Sequence, residues 1–227
     1  PGRAIDHDRA RGLHDARGAP GPAGIKILLR CKPLLVFAFC VFLFHLANAA
    51  MLPLVGQKLA WNDRALGLSL MSACIGAAQL VMVPMAVLAG RKADAWGRKP
   101  LFLAGFVVLT ARGVLYTLSD DRAWLVGVQL LDGVGAGLFG VLFPLIVSDL
   151  TLGTGRFNVS LGVVGTFQGI GASLSTALAG LIVVEAGYSA AFLSLAALAG
   201  IGLVLFAAFM PETRDAAQPE PTRAGSE

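Results

Sequence analysis

Apolar positions along this chain fall in long blocks, and polar residues gather in short clusters between them. A helix needs about 20 mostly apolar residues to cross the hydrocarbon of a bilayer. Six blocks reach that length: Pro33–Gly56, Ala65–Gly90, Pro100–Leu118, Ala123–Ser148, Phe157–Val184 and Ala186–Met210. Four carry no charge, the third contains Arg112 and the fourth Asp132. Runs such as LSLMSACIGAAQLVMVPMAVLAG do not alternate polar with apolar residues, as the strands of a membrane barrel would. The pattern predicts an all-α membrane protein with six transmembrane helices. Short connections make neighbouring helices antiparallel. Because each group of three is odd, the second triplet enters the membrane from the side opposite the first, a 3+3 inverted-repeat bundle.

Composition sharpens this. Of 227 residues, 56% are hydrophobic and 14% charged, with a mean hydropathy of +0.73. Soluble domains carry about a quarter charged residues because their surfaces must stay wet. A net charge of +4 and a pI near 9.3 raise the question of nucleic acid. The basic residues follow topology instead, and no basic face is interleaved with stacking aromatics. With the N-terminus placed in the cytoplasm, fourteen Lys and Arg fall on the inner side and three (Lys58, Arg64, Arg122) on the outer side, with Arg112 inside the membrane. That bias predicts that both termini are cytoplasmic. Residues 1–32, charged and rich in Gly and Pro without an apolar core, read as a disordered linker or tail. Residues 33–211 form the bundle and 212–227 a cytoplasmic tail. The first residue is Pro1 rather than Met, which leads us to expect a preceding segment. Cys31, Cys40 and Cys74 have no metal-ligand spacing, and neither a metal nor a cofactor is expected.

The second-to-third connection reads Gly90-Arg-Lys-Ala-Asp94-Ala-Trp-Gly97-Arg98-Lys99. It resembles the loop signature of the major facilitator superfamily, G-x-x-x-D-R-x-G-R-K, with Ala95 where the family carries Arg. The family places this motif between helices 2 and 3, with a degenerate copy between helices 8 and 9, so the resemblance implies the C-terminal half of a twelve-helix fold. Pro211-Glu212-Thr213 after the last span resembles a common ending of the family's twelfth helix. The stretch Leu130–Gly140, followed by Asp149 and Gly153–Asn158, is similar to bacterial facilitators of unassigned or drug-efflux type. The resemblance implies a multi-pass permease of the bacterial inner membrane with a small-molecule substrate, and a missing N-terminal six-helix half as partner. It also implies that Gly90, Asp94, Gly97, Arg98 and Lys99 form a gating loop that latches the two halves in one conformation. Positive-inside anchoring alone is the simpler account of the basic residues.

Asp132 lies about ten residues into its span, roughly 15 Å deep at 1.5 Å per residue. A carboxylate near the midplane is a candidate proton carrier. It is equally a candidate structural ion pair with Arg112, about seven residues below the same outer loop. His45 and Asn48, three apart on one helix face, are candidates for a substrate cavity, as are the intramembrane Gln79 and Gln168. Phe139 and Phe143 suit a cavity wall or plain packing. Gly133 and Gly137 form GxxxG, while Gly165, Gly169, Ser173 and Ala177 form a small-residue stripe of the kind that lets helices approach closely. The function these features predict is secondary transport of a small organic solute, in a proton-coupled efflux form or a facilitative one. An enzyme is disfavoured, because intramembrane His45 has no partner nucleophile and neither GxSxG nor HExxH occurs. A channel or non-transporting assembly partner is the alternative, although no pore loop or charge ring is present.

Overall fold

The computed structural model describes residues 31–61 and 63–214. Of the expected tails, residues 1–30, with His7 and His14, and 215–227 lie outside the described residues, while 31–32 and 212–214 are described. Among the described residues the regular structure is all helix: α1 Lys32–Asn48, α2 Met51–Ala60, α3 Arg64–Trp96, α4 Arg98–Leu115, α5 Arg122–Leu150 and α6 Phe157–Phe209. Four stretches are long and apolar enough to cross a membrane: Lys32–Ala60, Arg64–Trp96, Arg122–Leu150 and Phe157–Phe209. Helix α4 stands apart from them because its 18 residues include Arg98, Lys99 and Arg112.

The first predicted helix is two, and proline is the reason. Pro53 has no N–H to give the carbonyl four residues back, so the ladder fails at Ala49 and Ala50. The N–H of Ala50 then donates to Ser175 Oγ at 3.0 Å, a partner from α6. The fifth and sixth predicted helices are joined through α6, but the backbone leaves helical dihedrals at Gly187 (φ 83°, ψ 175°). Only glycine takes that conformation without strain. Before it, Gly171 lies against Phe42 and Ser175 against Ala50. After it, Tyr188 meets Gln57 and Phe206 meets Phe37. The chain therefore runs along α1 and α2, turns at Gly187 and returns, two residues beyond the break expected around Glu185.

Packing in such a bundle rests on shape, because lipid is as apolar as a leucine side chain. Phe37, Phe44, Phe102, Phe106 and Phe206 fill the centre between α1, α4 and α6, with ring centroids 4.7 Å apart for Phe102 and Phe206 and 5.2 Å for Phe44 and Phe106. Each such pair is worth about 0.5–1.5 kcal/mol beyond its area. Where α3 crosses α5, glycine replaces the ring: a Cβ on Gly133 would sit 2.2 Å from the Ala78 carbonyl oxygen, and one on Gly137 2.7 Å from that of Met82. The predicted stripe of Gly165, Gly169, Ser173 and Ala177 meets nothing in this bundle: both glycines have open space around them, and Ser173 and Ala177 are exposed. The α6 stripe that meets the α1–α2 segment, through Phe42 and Ala50, is Gly171 and Ser175 with Ala179 beyond them, also spaced by four and buried.

Replacing Gly133 with Val should lower stability by about 1–3 kcal/mol through overpacking. Gly127→Ala on the open face of the same helix should leave it unchanged or slightly raised. Thermal unfolding of the two variants in one detergent checks the contrast.

Candidate functional site

Two polar clusters interrupt the apolar interior. The first lies at mid-height, where α1, α4 and α5 meet. The Arg112 guanidinium, 3% exposed, donates from Nη1 to Asp132 Oδ1 and from Nη2 to Asn48 Oδ1. Its Nε rests 3.3 Å from Met51 Sδ. The second oxygen of Asp132 accepts from Gln129 Nε2 at 3.1 Å, and Gln129 Oε1 accepts the hydroxyl of buried Tyr116. Arg112 Nε, Nη1 and Nη2, Gln129 Nε2 and the Tyr116 hydroxyl each find an acceptor in this network, the kind of hydrogen bonding a buried ion pair needs to offset its desolvation. The Asp132 side chain is 24% exposed. It borders a cavity of about 10 Å³ with Phe44 and Asn48, near the minimum for one water.

Helix geometry explains this convergence. Gln129 and Asp132 are three apart on α5, and Tyr116, the helical-dihedral residue that caps α4, lies four beyond Arg112, so each pair shares a face. Asn48 comes into reach because α1 ends there. Its predicted companion His45 points elsewhere: Nδ1–H donates to the Val41 carbonyl at 3.1 Å, and the ring packs edge-on to Phe139 at 4.6 Å. Phe139 stacks on Phe143 at 5.3 Å, so both rings belong to the packing. Gln79 is exposed on α3, and Gln168 is half-buried on α6; neither is brought to the Arg112 cluster.

The second cluster lies at the bundle end that holds the 90–99 connection. Gly97 closes α3 at φ 92°, donates its N–H to Ala93 O at 3.1 Å, and starts α4 at once. Buried Arg98 then reaches three acceptors: Asp149 Oδ2 at 3.0 Å, Asp94 Oδ1 at 2.6 Å and Ala93 O at 3.1 Å. Thr213 Oγ1 shares Asp149 Oδ2 at 3.0 Å, which ties the chain beyond α6 to the pair. Glu212 caps α4: its carboxylate accepts the free N–H groups of Arg98 at 2.9 Å and Lys99 at 3.1 Å, and those of Thr213 and Arg214 at 3.0 Å each. A carboxylate at a helix N-terminus also meets the positive end of the macrodipole. Lys99 Nζ donates to Ala207 O at 2.7 Å. Gly90 has open space around it and no role in these contacts. At Ala95, where the family signature has Arg, the backbone carbonyl accepts from Arg214 Nη1 at 3.3 Å.

The sequence pointed to Arg98 and Asp94, and to Asp149 only within the family resemblance and not as the buried partner of Arg98; Gln129 and Tyr116 of the first cluster were not singled out. Asp149 had one readable signal: it is the acid that ends an apolar helix near the level of the basic loop. Gln129 had another, its place three residues before Asp132. No group of three or more potential metal ligands occurs among the described residues.

A family model described as Major Facilitator Superfamily matches residues 28–226. An uncharacterized MFS-type transporter of Mycobacterium tuberculosis is 61% identical over 217 residues, covering 95% of this chain and 52% of the relative. The chain thus spans about half the length of that protein. A chloramphenicol resistance protein of Pseudomonas aeruginosa is 27% identical over 144 residues, 62% of this chain and 32% of that protein. Among solved structures, the human organic anion transporter MFSD10 superposes with a TM-score of 0.66 at 22% identity, covering 80% of this chain and 48% of that one. That likeness extends to the fold.

Burial pushes the Glu212 carboxyl up, but the four backbone N–H donors of Arg214, Arg98, Lys99 and Thr213 outweigh it and hold its pKa below the ordinary 4.5. A depressed folded-state pKa contributes stability that is present above the ordinary value and lost as pH falls through the lowered one. The thermal-stability gap between the native chain and Glu212→Gln should therefore be full at pH 6–7 and narrow as the pH is brought below 4.5. Melting curves across that range, with Glu185→Gln as a reference, test it.

Proposed function

Because the chain belongs to the major facilitator superfamily, we propose that it forms one six-pass half of a secondary transporter that exports a small organic solute against proton entry. The observation that carries this reading is the Arg112–Asp132–Asn48 network, a charged pair at mid-height between apolar helices. An intramembrane carboxylate on a crevice is the natural place to load a proton. Protonating Asp132 would release the Arg112 guanidinium, leaving Asn48 as its remaining polar oxygen partner. That change in pairing would loosen the register between α1, α4 and α5, which is how one proton could bias a conformational equilibrium.

Six passes follow if α1 with α2 counts as one, α3, α4 and α5 as one each, and α6 as two about Gly187. The 3+3 inverted arrangement and the second bundle are part of the same proposal. They are supported by the length of the relatives and by the outward Gly165–Ala177 stripe, which would accept a close-packed helix. The positive-inside bias supports cytoplasmic termini, which puts the Asp94–Arg98–Asp149 cluster on the inner face of a bacterial inner membrane. There the cluster would hold the inner ends of α3, α4 and α5 together until the two halves rock. Export is favoured over import by the chloramphenicol resistance protein of P. aeruginosa, since resistance is gained when a drug leaves the cell. His45, Gln79 and Gln168 stay candidates for the cavity between the halves.

Asp132→Asn in the full-length transporter should reduce proton-driven flux in proteoliposomes to the leak seen without a pH gradient, while solute exchange at equal pH persists. Asp132→Glu should retain part of the driven flux. Unaltered proton-driven transport by Asp132→Asn would reduce Asp132 to a structural partner of Arg112.

A further inference from the structure

The end of the bundle away from the 90–99 loop contains a cavity that the transport reading does not use. It measures about 300 Å³ and lies between the end of α2, the connection from α4 to α5, and the turn at Gly187. Lys58, Trp61, Asp120, Arg122 and Tyr188 line it. All three segments belong to this bundle, so the cavity needs no second half to form. Trp61 and Tyr188 make a right-angled aromatic corner, with centroids 6.4 Å apart and planes at 89°. Tyr188 is fixed by donating its hydroxyl to Gln57 Oε1 at 3.2 Å. The Lys58 stem is buried, with its ammonium 5.8 Å over the Phe192 ring and paired to Asp120, whose side chain is 84% exposed. Arg122 opens α5 and is half-buried, and among the described residues no ion pair engages it.

The charges on this cavity do not cancel: two cations face one acid, and that acid is largely in water. A guanidinium offers a planar fork of donors that fits phosphate oxygens, and the lysine adds a mobile point charge. Beside them, a corner of two aromatic rings takes an apolar body and leaves its polar end free. We propose that this cavity binds a phosphate ester, with the phosphate on Arg122 and Lys58 and the apolar body against Trp61 and Tyr188. Asp120 is the internal competitor, holding Lys58 until an anion replaces it. The phosphate can arrive on a soluble ester or as a phospholipid headgroup, since aromatic and basic residues at a helix end also suit the membrane interface.

Phenyl phosphate is the probe, read by the fluorescence of Trp61 in the full chain carrying Trp96→Phe and Trp124→Phe. Saturable quenching is expected in detergent. Arg122→Gln should raise the Kd about tenfold, as expected for one charge-assisted hydrogen bond. Asp120→Asn should lower it, a gain that a misfolded variant would not mimic. The source is decided in nanodiscs. If the apparent Kd of the native site, but not of Arg122→Gln, is higher in phosphatidylglycerol nanodiscs than in phospholipid-free detergent, lipid headgroups occupy it; if the Kd is the same in both, the ligand is soluble. Absence of saturable quenching in the native site, or an equal Kd for Arg122→Gln, overturns the proposal.

Discussion

A guanidinium buried in an apolar bundle must be answered from within it, and the answer to Arg112 sets the register of the centre. Its two terminal nitrogens draw on α5 through Asp132 and on the end of α1 through Asn48. Removing one partner from a buried ion pair typically costs about 3–5 kcal/mol, since the remaining charge cannot return to water. Three helices are therefore tied at one level by a requirement that lipid imposes and water would relax. The proline-induced break at Ala49–Ala50 serves the same point, because α1 ends at Asn48 and the chain re-enters at Met51, whose sulfur lies against the guanidinium.

The loop end is governed by another deficit of the same kind. A helix that begins immediately after another ends leaves backbone donors without acceptors. Gly97 makes the sharp turn possible, and Glu212 supplies the acceptors for Arg98 and Lys99. A side chain on Gly97 would meet that carboxylate at 2.5 Å, so turn and cap occupy one another's space. The Asp149–Arg98 pair and Thr213 add α5 and the end of α6 to the same junction. The bundle is held by polar closure at its centre and loop end, with aromatic and glycine contacts filling the distance between them.

Much of the candidate site was legible. The helix blocks placed Arg112 and Asp132 at similar depth on consecutive spans, which made an ion pair one of two readings of Asp132, and the structure pairs them. Asn48 and His45 share a face, yet only Asn48 joins the cluster, because the His45 ring meets Phe139 and its Nδ1–H is taken by the preceding turn. The two small-residue stripes on α6 have the same spacing, so no periodicity distinguishes the one on α1 from the one facing outward. Gly90 matches the loop signature as well as Gly97 does, but only Gly97 has a positive φ and a close neighbour.

By itself the sequence determined what depends on solvent: helices rather than strands, their approximate limits, and the charges that must be satisfied inside. These follow from local composition, since lipid penalises each unpaired polar group regardless of what surrounds it. It also carried the loop signature that identifies the family. Only the tertiary structure decided which partner satisfies which group: Asp149 for Arg98, Asn48 beside Asp132 for Arg112, and Glu212 for a helix start 114 residues away. Those choices rest on helix rotation and on two backbone breaks, at Ala49–Ala50 and at Gly187. A rotation of one residue moves a side chain by about 100°, far less than composition alone can resolve.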